Sequence, residues 1–334
     1  MFKYPKVCSL HLTTRCDHHC HHCVCDRTKR IDADLDQTVQ LIRDFRKLGG
    51  IYLDLTGGNP VLVDWLYDVL KVARDENFYT SITVSGPRSL KQKKALLLPN
   101  MVRVSLEGDE NYTDQNRNVK AYLPAVEFLA WAQKERTNET QIIWTAIPGV
   151  RGNINDDQFG SVLKLARKYE AMVNINPLFG GDFTQDEMLN LRKYAKQAGC
   201  YFSLGKSRFI MHGGNNPLQP TCLAASTVTT ISADGYLVLP CFHNAISKIP
   251  LTSGLQAALD SEIRKKFLKI QGRLSFCDGC SIWCYIVPSW YSQHVFDRIV
   301  VWQDALSRLQ SIRDFTLKSF GKLHLKHPYP DFKL

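Results

Sequence analysis

Three cysteines follow the first apolar, strand-like run of the chain in the pattern C-x3-C-x2-C: Cys16, Cys20 and Cys23. Thiolates are ligands of zinc and of iron–sulfur clusters, and a closed site of either kind takes four ligands. Three thiolates in one short loop instead suit a [4Fe-4S] cluster that keeps one iron open. The spacing therefore indicates a metal centre that can accept a further ligand.

Histidines crowd the same loop and leave zinc as an alternative. They are His18, His19, His21 and His22. Two cysteines with two of these histidines would satisfy a tetrahedral zinc ion. A zinc site would explain none of the later motifs of the chain, whereas the [4Fe-4S] interpretation can be tested against those motifs.

The cysteine spacing resembles the signature of the radical S-adenosylmethionine (SAM) superfamily, in which SAM chelates the open iron through its amino and carboxylate groups. A later segment, Thr56-Gly57-Gly58-Asn59-Pro60, resembles the GGEP motif of that family, whose backbone meets the SAM amino group. Asn59 replaces the acidic residue, and its amide carbonyl is a weaker acceptor than a carboxylate. Taken alone, this segment is also compatible with an ordinary turn.

Two more segments follow in the family's order. Thr83-Val84-Ser85-Gly86 is similar to its Ser/Thr-Asn-Gly segment, and Val104-Ser105-Leu106-Glu107-Gly108 is similar to its Ser-Leu-Asp-Gly segment. Taken alone, Ser105 and Glu107 are also compatible with the exposed end of a strand, and Arg117 is compatible with a surface cation. The resemblance implies that SAM is contacted by His22, Gly57, Gly58, Asn59, Pro60, Ser85, Ser105, Glu107 and Arg117.

Alternating strand and helix patterns predict a parallel sheet with helical crossovers. Strands are predicted at Lys6–Thr13, Gly50–Leu55, Tyr79–Val84, Met101–Leu106, Gln141–Ile147 and Ala171–Asn176. Helices are predicted at Asp34–Leu48, Val63–Glu76, Ser89–Leu98, Ala121–Arg136 and Gln158–Tyr169. The resemblance implies an α/β fold, a partial (β/α)6 TIM-like barrel, whose ligands lie at the carboxyl ends of the strands.

The alternation stops near Pro217, where cysteines reappear. We predict a radical SAM core over 1–216, a cysteine-rich auxiliary domain over 217–293, and an amphipathic C-terminal helix with a basic tail over 294–334. The second set resembles the SPASM and twitch modules of radical SAM enzymes, and the economical assignment is one auxiliary [4Fe-4S] cluster. Its ligands would be Cys222, Cys241, Cys277 and Cys280.

Cys284 follows that set and has three possible roles. It can replace one of the four ligands, it can be a buried structural thiol beside Trp283 and Tyr285, or it can donate a hydrogen atom to a substrate radical. The last role makes Cys284 the candidate catalytic residue. Cys25, two residues past the first cysteine set, remains unassigned.

Composition limits the class of protein. The chain has 334 residues, 42 basic and 32 acidic, so its formal charge is 42 − 32 = +10. Its apolar runs are too short for a membrane span, it lacks an export signal, and six of eleven cysteines have metal-ligand spacing, which predicts a cytoplasmic protein. The basic charge favours an anionic substrate or partner, and no nucleic-acid-binding signature stands out.

The resemblance implies an enzyme that reductively cleaves SAM to a 5′-deoxyadenosyl radical, which then abstracts hydrogen from a substrate C–H bond. A flavodoxin or ferredoxin would supply the electron. The leading substrate is a ribosomally synthesised precursor peptide. A small molecule or lipid (an aminoglycoside, a tetrapyrrole or a membrane lipid) is the alternative, and a non-catalytic iron–sulfur electron carrier is an alternative of another class.

Overall fold

The computed structural model describes residues 3–26, 28–136, 142–149, 153, 155–177, 183–195, 197 and 199–292. The strands are β1 (Val7–Thr13), β2 (Tyr52–Gly57), β3 (Tyr79–Val84), β4 (Met101–Ser105), β5 (Ile142–Gly149), β6 (Met172–Pro177), β7 (Cys200–Tyr201), β8 (Val228–Ile231), β9 (Tyr236–Leu239) and β10 (Ser247–Pro250). The α-helices are α1 (Leu35–Lys47), α2 (Leu66–Asp75), α3 (Leu90–Ala95), α4 (Glu110–Arg117), α5 (Tyr122–Glu135), α6 (Asp156–Lys168), α7 (Gln185–Ala195), α8 (Leu204–Met211), α9 (Ala224–Thr227), α10 (Leu255–Asp260), α11 (Glu262–Ile270) and α12 (Trp283–Ser292).

All six predicted strands and all five predicted helices are confirmed, to within three residues at each end. Helix α1 shows why such boundaries can be predicted. Asp34 precedes it and accepts a hydrogen bond from the Gln37 amide at 2.9 Å, which satisfies one of the unpaired amides of the first turn. Ile42 and Phe45 form its buried face.

The chain divides into two compact units. Of the described residues, the first contains those within 3–17, 23–82 and 212–292, and the second contains His18–His22 and those within 83–211. The predicted C-terminal helix lies outside the described residues, and the bounds of the three predicted domains remain predictions.

In the first unit, the strands are ordered β10-β9-β8-β1-β2-β3. Strands β8, β1, β2 and β3 are parallel, whereas β9 and β10 are antiparallel to their neighbours. One face is apolar, and Leu10, Leu53 and Leu55 on it are buried. Burying each such side chain contributes about 2 kcal/mol, so this face stabilises the sheet that carries the cysteine loop.

Strands β8 to β10 were missing from the sequence prediction. Val7 of β1 pairs with Tyr52 of β2 on one side and with Val228 of β8 on the other. The cysteine-rich segment therefore extends the sheet of the first strands. Its short strands gave too few residues to reveal an alternating pattern.

In the second unit, β4, β5, β6 and β7 are parallel neighbours in that order. Apolar side chains of β4 and the following helices are buried, including Val102, Val104, Phe128 and Leu163. This unit also contains the middle of the cysteine loop, His18–His22. Among the described residues, no helix is both long and apolar enough to cross a membrane.

Candidate cofactor and iron–sulfur sites

Hydrogen bonds close the base of the loop that carries Cys16, Cys20 and Cys23. The Thr14 amide donates to the Ile31 carbonyl at 2.8 Å, and the Thr13 hydroxyl donates to Asp32 Oδ1 at 2.6 Å. Arg15 pairs with Asp32 at 2.5 Å. Partial burial opposes ionisation of Asp32, but its bonds to Arg15 and Thr13 outweigh this and lower the pKa. These contacts join residues 13–15 to residues 31 and 32, and this closed base is the neck of the loop.

The three predicted cluster ligands in this loop are all partly buried. Of the histidines among them, His19 and His21 are exposed. His18, in contrast, is buried, with 1% of its surface exposed. Burial also lowers the pKa of His22, although nearby Glu107 raises it, so the neutral imidazole is favoured.

The glycine pair after β2 packs directly on the neck of the loop. A Cβ added at Gly57 would collide with the Thr13 carbonyl oxygen, and one at Gly58 would collide with the Arg15 carbonyl oxygen. The Gly58 amide donates to that Thr13 carbonyl at 2.7 Å. Only glycine permits such a close approach of two backbone segments. Gly57 and Gly58 therefore position the loop, independently of any contact with a ligand.

Asn59, where the resembling motif has an acid, is buried and oriented. Its Nδ2 donates to Asp17 Oδ1 at 2.8 Å, and its backbone amide donates to the Arg15 carbonyl at 2.8 Å. Pro60 is also buried and begins a short 3-10 helix. The departure from the motif is therefore accommodated, because Asp17 supplies a carboxylate next to the asparagine.

A buried ionic network forms where β3 and β4 end. Arg117 donates from Nη2 to Glu107 Oε1 and from Nη1 to Ser85 Oγ, both at 2.8 Å. His22 Nε2 lies 3.7 Å from the same Glu107 oxygen. Glu107 is 1% exposed and Arg117 is 4% exposed. Four residues that the sequence places in four segments are thus brought together.

Helix α4 positions Arg117 in this network. Asp109 caps its start by accepting from the Tyr112 amide at 2.8 Å, and Arg117 is its last residue. The buried Thr113 hydroxyl accepts from the amides of Glu107 and Gly108. Sequence reasoning missed this helix because it has no apolar stripe, although Asp109 was a capping signal.

Two polar atoms of the network are buried and make no hydrogen bond within the described part of the chain. They are Glu107 Oε2 and Arg117 Nε. A buried ionic atom without a partner is costly, and it is an expected feature of a site that pairs with a ligand. One acceptor and one donor of this kind fit a ligand that bears both an ammonium or hydroxyl group and a carboxylate, as SAM does.

The cysteine loop is tied to this network through the backbone. The His19 amide donates to the Arg117 carbonyl at 2.9 Å, and the His21 amide donates to the Asn116 carbonyl at 3.4 Å. The buried Asn153 donates from Nδ2 to the Glu107 carbonyl at 2.9 Å, a contact that no sequence pattern indicated. Ser105 is partly buried, and no hydrogen bond joins it to the network among the described residues.

The four predicted auxiliary ligands surround one cavity in the first unit. This cavity is lined by Cys222, Cys241, Cys277 and Cys280, together with Ala224, Pro240, Asn244, Gly272, Phe276, Ile282 and Tyr285. Cys222 and Cys241 precede Cys277 and Cys280 by at least 277 − 241 = 36 residues in the chain, so the fold brings them together. The donor set and the small apolar cavity fit a [4Fe-4S] cluster.

Burial raises the pKa of every thiol in this cavity. It raises that of Cys222 to about 12 and that of Cys241 to about 11. The pKa values of Cys277 and Cys280 are also raised by burial. Without a cation these thiols are neutral at pH 7, and metal binding would release their protons.

The remaining cysteines lie elsewhere. Cys284 is exposed on α12 and does not line the cavity. The sequence-based alternative that Cys284 is a buried structural thiol is therefore wrong. Cys25 donates from Sγ to the Gly57 carbonyl at 3.2 Å. Cys8 and Cys200 are buried. All eleven cysteines are described, and none forms a disulfide, in agreement with the metal-ligand interpretation.

Comparison with known proteins finds one family whose model matches the first part of the chain. Residues 10–166 match the radical SAM superfamily. No curated protein matches the sequence. Streptococcus suis SuiB bound to precursor peptide SuiA has a similar structure, with 13% identity, coverage of 84% of this chain and 70% of SuiB, and a TM-score of 0.63.

A second similar structure is native anSMEcpe with bound AdoMet and a Cp18Cys peptide. It has 13% identity and a TM-score of 0.58, and the match covers 95% of this chain and 97% of that one. At these identities the likeness concerns the fold. It confirms the predicted α/β fold with a mostly parallel sheet.

Proposed function

We propose that this chain, whose residues 10–166 match the radical SAM superfamily, is a member of it that cleaves SAM reductively and modifies a peptide by hydrogen abstraction. Cys16, Cys20 and Cys23 would hold the [4Fe-4S] cluster that binds SAM. When bound, cluster and SAM together supply an electron and a 5′-deoxyadenosyl radical that abstracts hydrogen from a C–H bond.

The observation that carries the proposal is the buried pair of Glu107 and Arg117. Glu107 lies just past the end of β4, Arg117 ends α4, and the Arg117 carbonyl accepts a hydrogen bond from the loop of the cysteines. Glu107 Oε2 would accept from an ammonium or hydroxyl group of SAM, and Arg117 Nε would donate to its carboxylate. The pair is already oriented by Ser85, so little ordering is needed when a ligand binds.

His22 would form an uncharged wall of the same site. Burial lowers its pKa, which keeps the imidazole neutral beside the cationic Arg117. A neutral ring excludes water without repelling the positive sulfonium of SAM. Gly57 and Gly58 would hold the loop in register with β2, and Asn59 with Asp17 would present polar atoms beside it.

Cys222, Cys241, Cys277 and Cys280 would hold a single auxiliary [4Fe-4S] cluster in the cavity described above. The cavity contains four thiols and few other polar groups, which suits a cluster with complete protein ligation. A flavodoxin or ferredoxin would supply the electron for SAM cleavage, and the excess of basic over acidic residues favours such an acidic partner.

A precursor peptide is the substrate class that the structural likeness supports. Both SuiB and anSMEcpe, as described above, have been seen with a peptide bound. Cys284, which is exposed on α12, is the candidate hydrogen-atom donor to a peptide radical. The peptide itself would be found by mass spectrometry of candidate precursors incubated with the reduced enzyme, SAM and its electron donor.

The activity is tested by anaerobic reconstitution followed by measurement of 5′-deoxyadenosine in the presence of SAM and dithionite. We expect formation by the wild-type chain and by Cys280→Ala, and loss in Cys16→Ala, Cys20→Ala and Cys23→Ala. Cys25→Ala is the matched control, because this thiol lies beside the loop but outside the proposed ligand set. A wild-type chain that binds iron and forms no 5′-deoxyadenosine would instead be an electron carrier.

A further inference from the structure

The side chain of Asn215 uses its whole hydrogen-bonding capacity inside the auxiliary module. Its Nδ2 donates to the carbonyls of Gly272 and Cys277, at 2.8 and 3.0 Å. Its Oδ1 accepts from the amides of Thr221 and Cys222, at 3.0 and 2.9 Å. An amide side chain offers two donors and two acceptor positions, and here all four are engaged. Asn215 is 1% exposed.

The backbone of the same residue makes two further bonds. The Asn215 amide donates to the Cys280 carbonyl at 3.0 Å, and the Gly279 amide donates to the Asn215 carbonyl at 2.9 Å. One residue therefore contacts the backbone of Cys222, Cys277 and Cys280, three of the four cysteines around the cavity. Those cysteines come from two segments that the sequence separates widely.

Two glycines, Gly214 before Asn215 and Gly272 in the segment that it contacts, allow this close approach of the backbones. Gly214 has φ +74°, and an added Cβ there would collide with the Gly279 carbonyl oxygen. Gly272 has φ +73°, and an added Cβ there would lie 2.5 Å from the Cys222 carbonyl oxygen. The Gly213-Gly214-Asn215-Asn216-Pro217 segment, which the sequence shows only as a turn, thus joins the segments that carry the thiols.

We infer that Asn215 is a positioning residue that sets the auxiliary cysteines in place before iron binds. The inference rests on the auxiliary cluster of the proposed function. A cluster whose ligands come from distant segments must otherwise order those segments on binding, and this cost lowers its affinity. Residues that hydrogen-bond around metal ligands in this way commonly change metal affinity by about 10–100-fold when mutated.

The test compares Asn215→Asp with Asn216→Ala in the full chain. The aspartate keeps the two acceptor contacts but turns an oxygen toward the Gly272 and Cys277 carbonyls, which repels both. Asn216 is exposed, and its Oδ1 accepts only the local Leu218 amide at 2.9 Å among the bonds described. It is therefore a matched control for composition and position.

Iron and sulfide are measured after anaerobic reconstitution, and iron loss to a chelator is then followed over time. We expect about eight irons per chain in the wild type and in Asn216→Ala, as for two [4Fe-4S] clusters. In Asn215→Asp we expect about four irons, or at least about 10-fold faster loss of half the iron. 5′-Deoxyadenosine formation by this variant without substrate shows that its SAM-binding part is folded.

If Asn215→Asp is insoluble, Asn215→Ser takes its place, because serine keeps one donor and one acceptor. We expect iron loss from this variant to be faster than from the wild type. Eight irons in both Asn215 variants, released at the wild-type rate, would overturn the inference. Failure of the proposed function is a different result, because it would appear in the wild type as a chain with no auxiliary iron or no SAM cleavage.

Discussion

The Arg117 guanidinium donates to Glu107 Oε1 at 2.8 Å in surroundings that exclude solvent from both side chains. The acid lies just past the end of β4 and the base ends α4, so the short connection between these elements sets their geometry. A buried ion pair is weak evidence for stability by itself, because desolvation offsets its attraction. Its position beside the cysteine loop is the reason to regard it as a binding element.

Breaking this pair from one side is expected to be costly. Arg117→Met or Glu107→Gln alone should lower the free energy of unfolding by about 3–5 kcal/mol, because the partner is left unpaired in a buried position. The double variant should lose clearly less than the sum. Urea unfolding of the four chains completes the cycle.

The exposed pair Lys71 and Asp75, 3.5 Å apart on α2, is the control for that cycle. Lys71→Ala should change the unfolding free energy by about 0.5 kcal/mol or less. Additive effects at Glu107 and Arg117, within about 0.5 kcal/mol, would show that the two residues do not act as a pair.

Gly58→Ala should damage the cysteine loop. The new methyl group would collide with the Arg15 carbonyl oxygen, and backbone cannot yield as a flexible side chain can. We expect a destabilised chain that retains less iron in the SAM-binding cluster, measured by iron content per folded chain. Gly160→Ala is the matched control, since no atom lies within 4 Å of its added Cβ. That helical change should stabilise the protein by about 0.5–1 kcal/mol.

Two buried histidines should make stability depend on pH. Burial lowers the pKa of His11, which stacks on Phe242 at 3.8 Å, to about 4. Burial lowers the pKa of His243 to about 4 as well. The unfolded chain titrates near 6.5, so between pH 6.5 and 4 it binds more protons than the folded chain. The contribution of these histidines to the free energy of unfolding should therefore have its full value above about pH 6.5 and decrease as the pH is lowered toward 4.

Urea unfolding of the metal-free chain between pH 7.5 and 5 measures this dependence. His11→Gln should reduce the slope, because it removes one of the two buried imidazoles. Equal slopes in wild type and His11→Gln would contradict the assignment of the effect to His11.

The fold of the first two thirds was predictable because its elements carry regular patterns and caps. Asp34, for example, marks the start of α1 from sequence alone. The polar helix α4 was not, because it has no apolar stripe. The short strands β8 to β10 were not either, since β8 is held by a partner distant in sequence. Val228, which pairs with β1 more than two hundred residues earlier, shows this plainly.

The candidate site was likewise predictable only in part. Residue types and spacing indicated Glu107 and Arg117, but not that two of their buried atoms would be left for a ligand. The four auxiliary cysteines were selected by their resemblance, and the structure brings them around one cavity. Asn153 and Asn215 carry no sequence signal, because an asparagine that pairs with distant backbone looks like any turn residue.

The central claim is that one iron of the N-terminal cluster has no protein ligand and binds SAM. Electron paramagnetic resonance of the dithionite-reduced chain, with and without SAM, measures this directly. To isolate the first cluster, the spectrum is recorded on a variant with Cys222, Cys241, Cys277 and Cys280 all changed to Ala. We predict a [4Fe-4S]+ signal that shifts when SAM is added and is lost in Cys20→Ala. A loop that binds one zinc ion, or a cluster signal indifferent to SAM, would contradict the account.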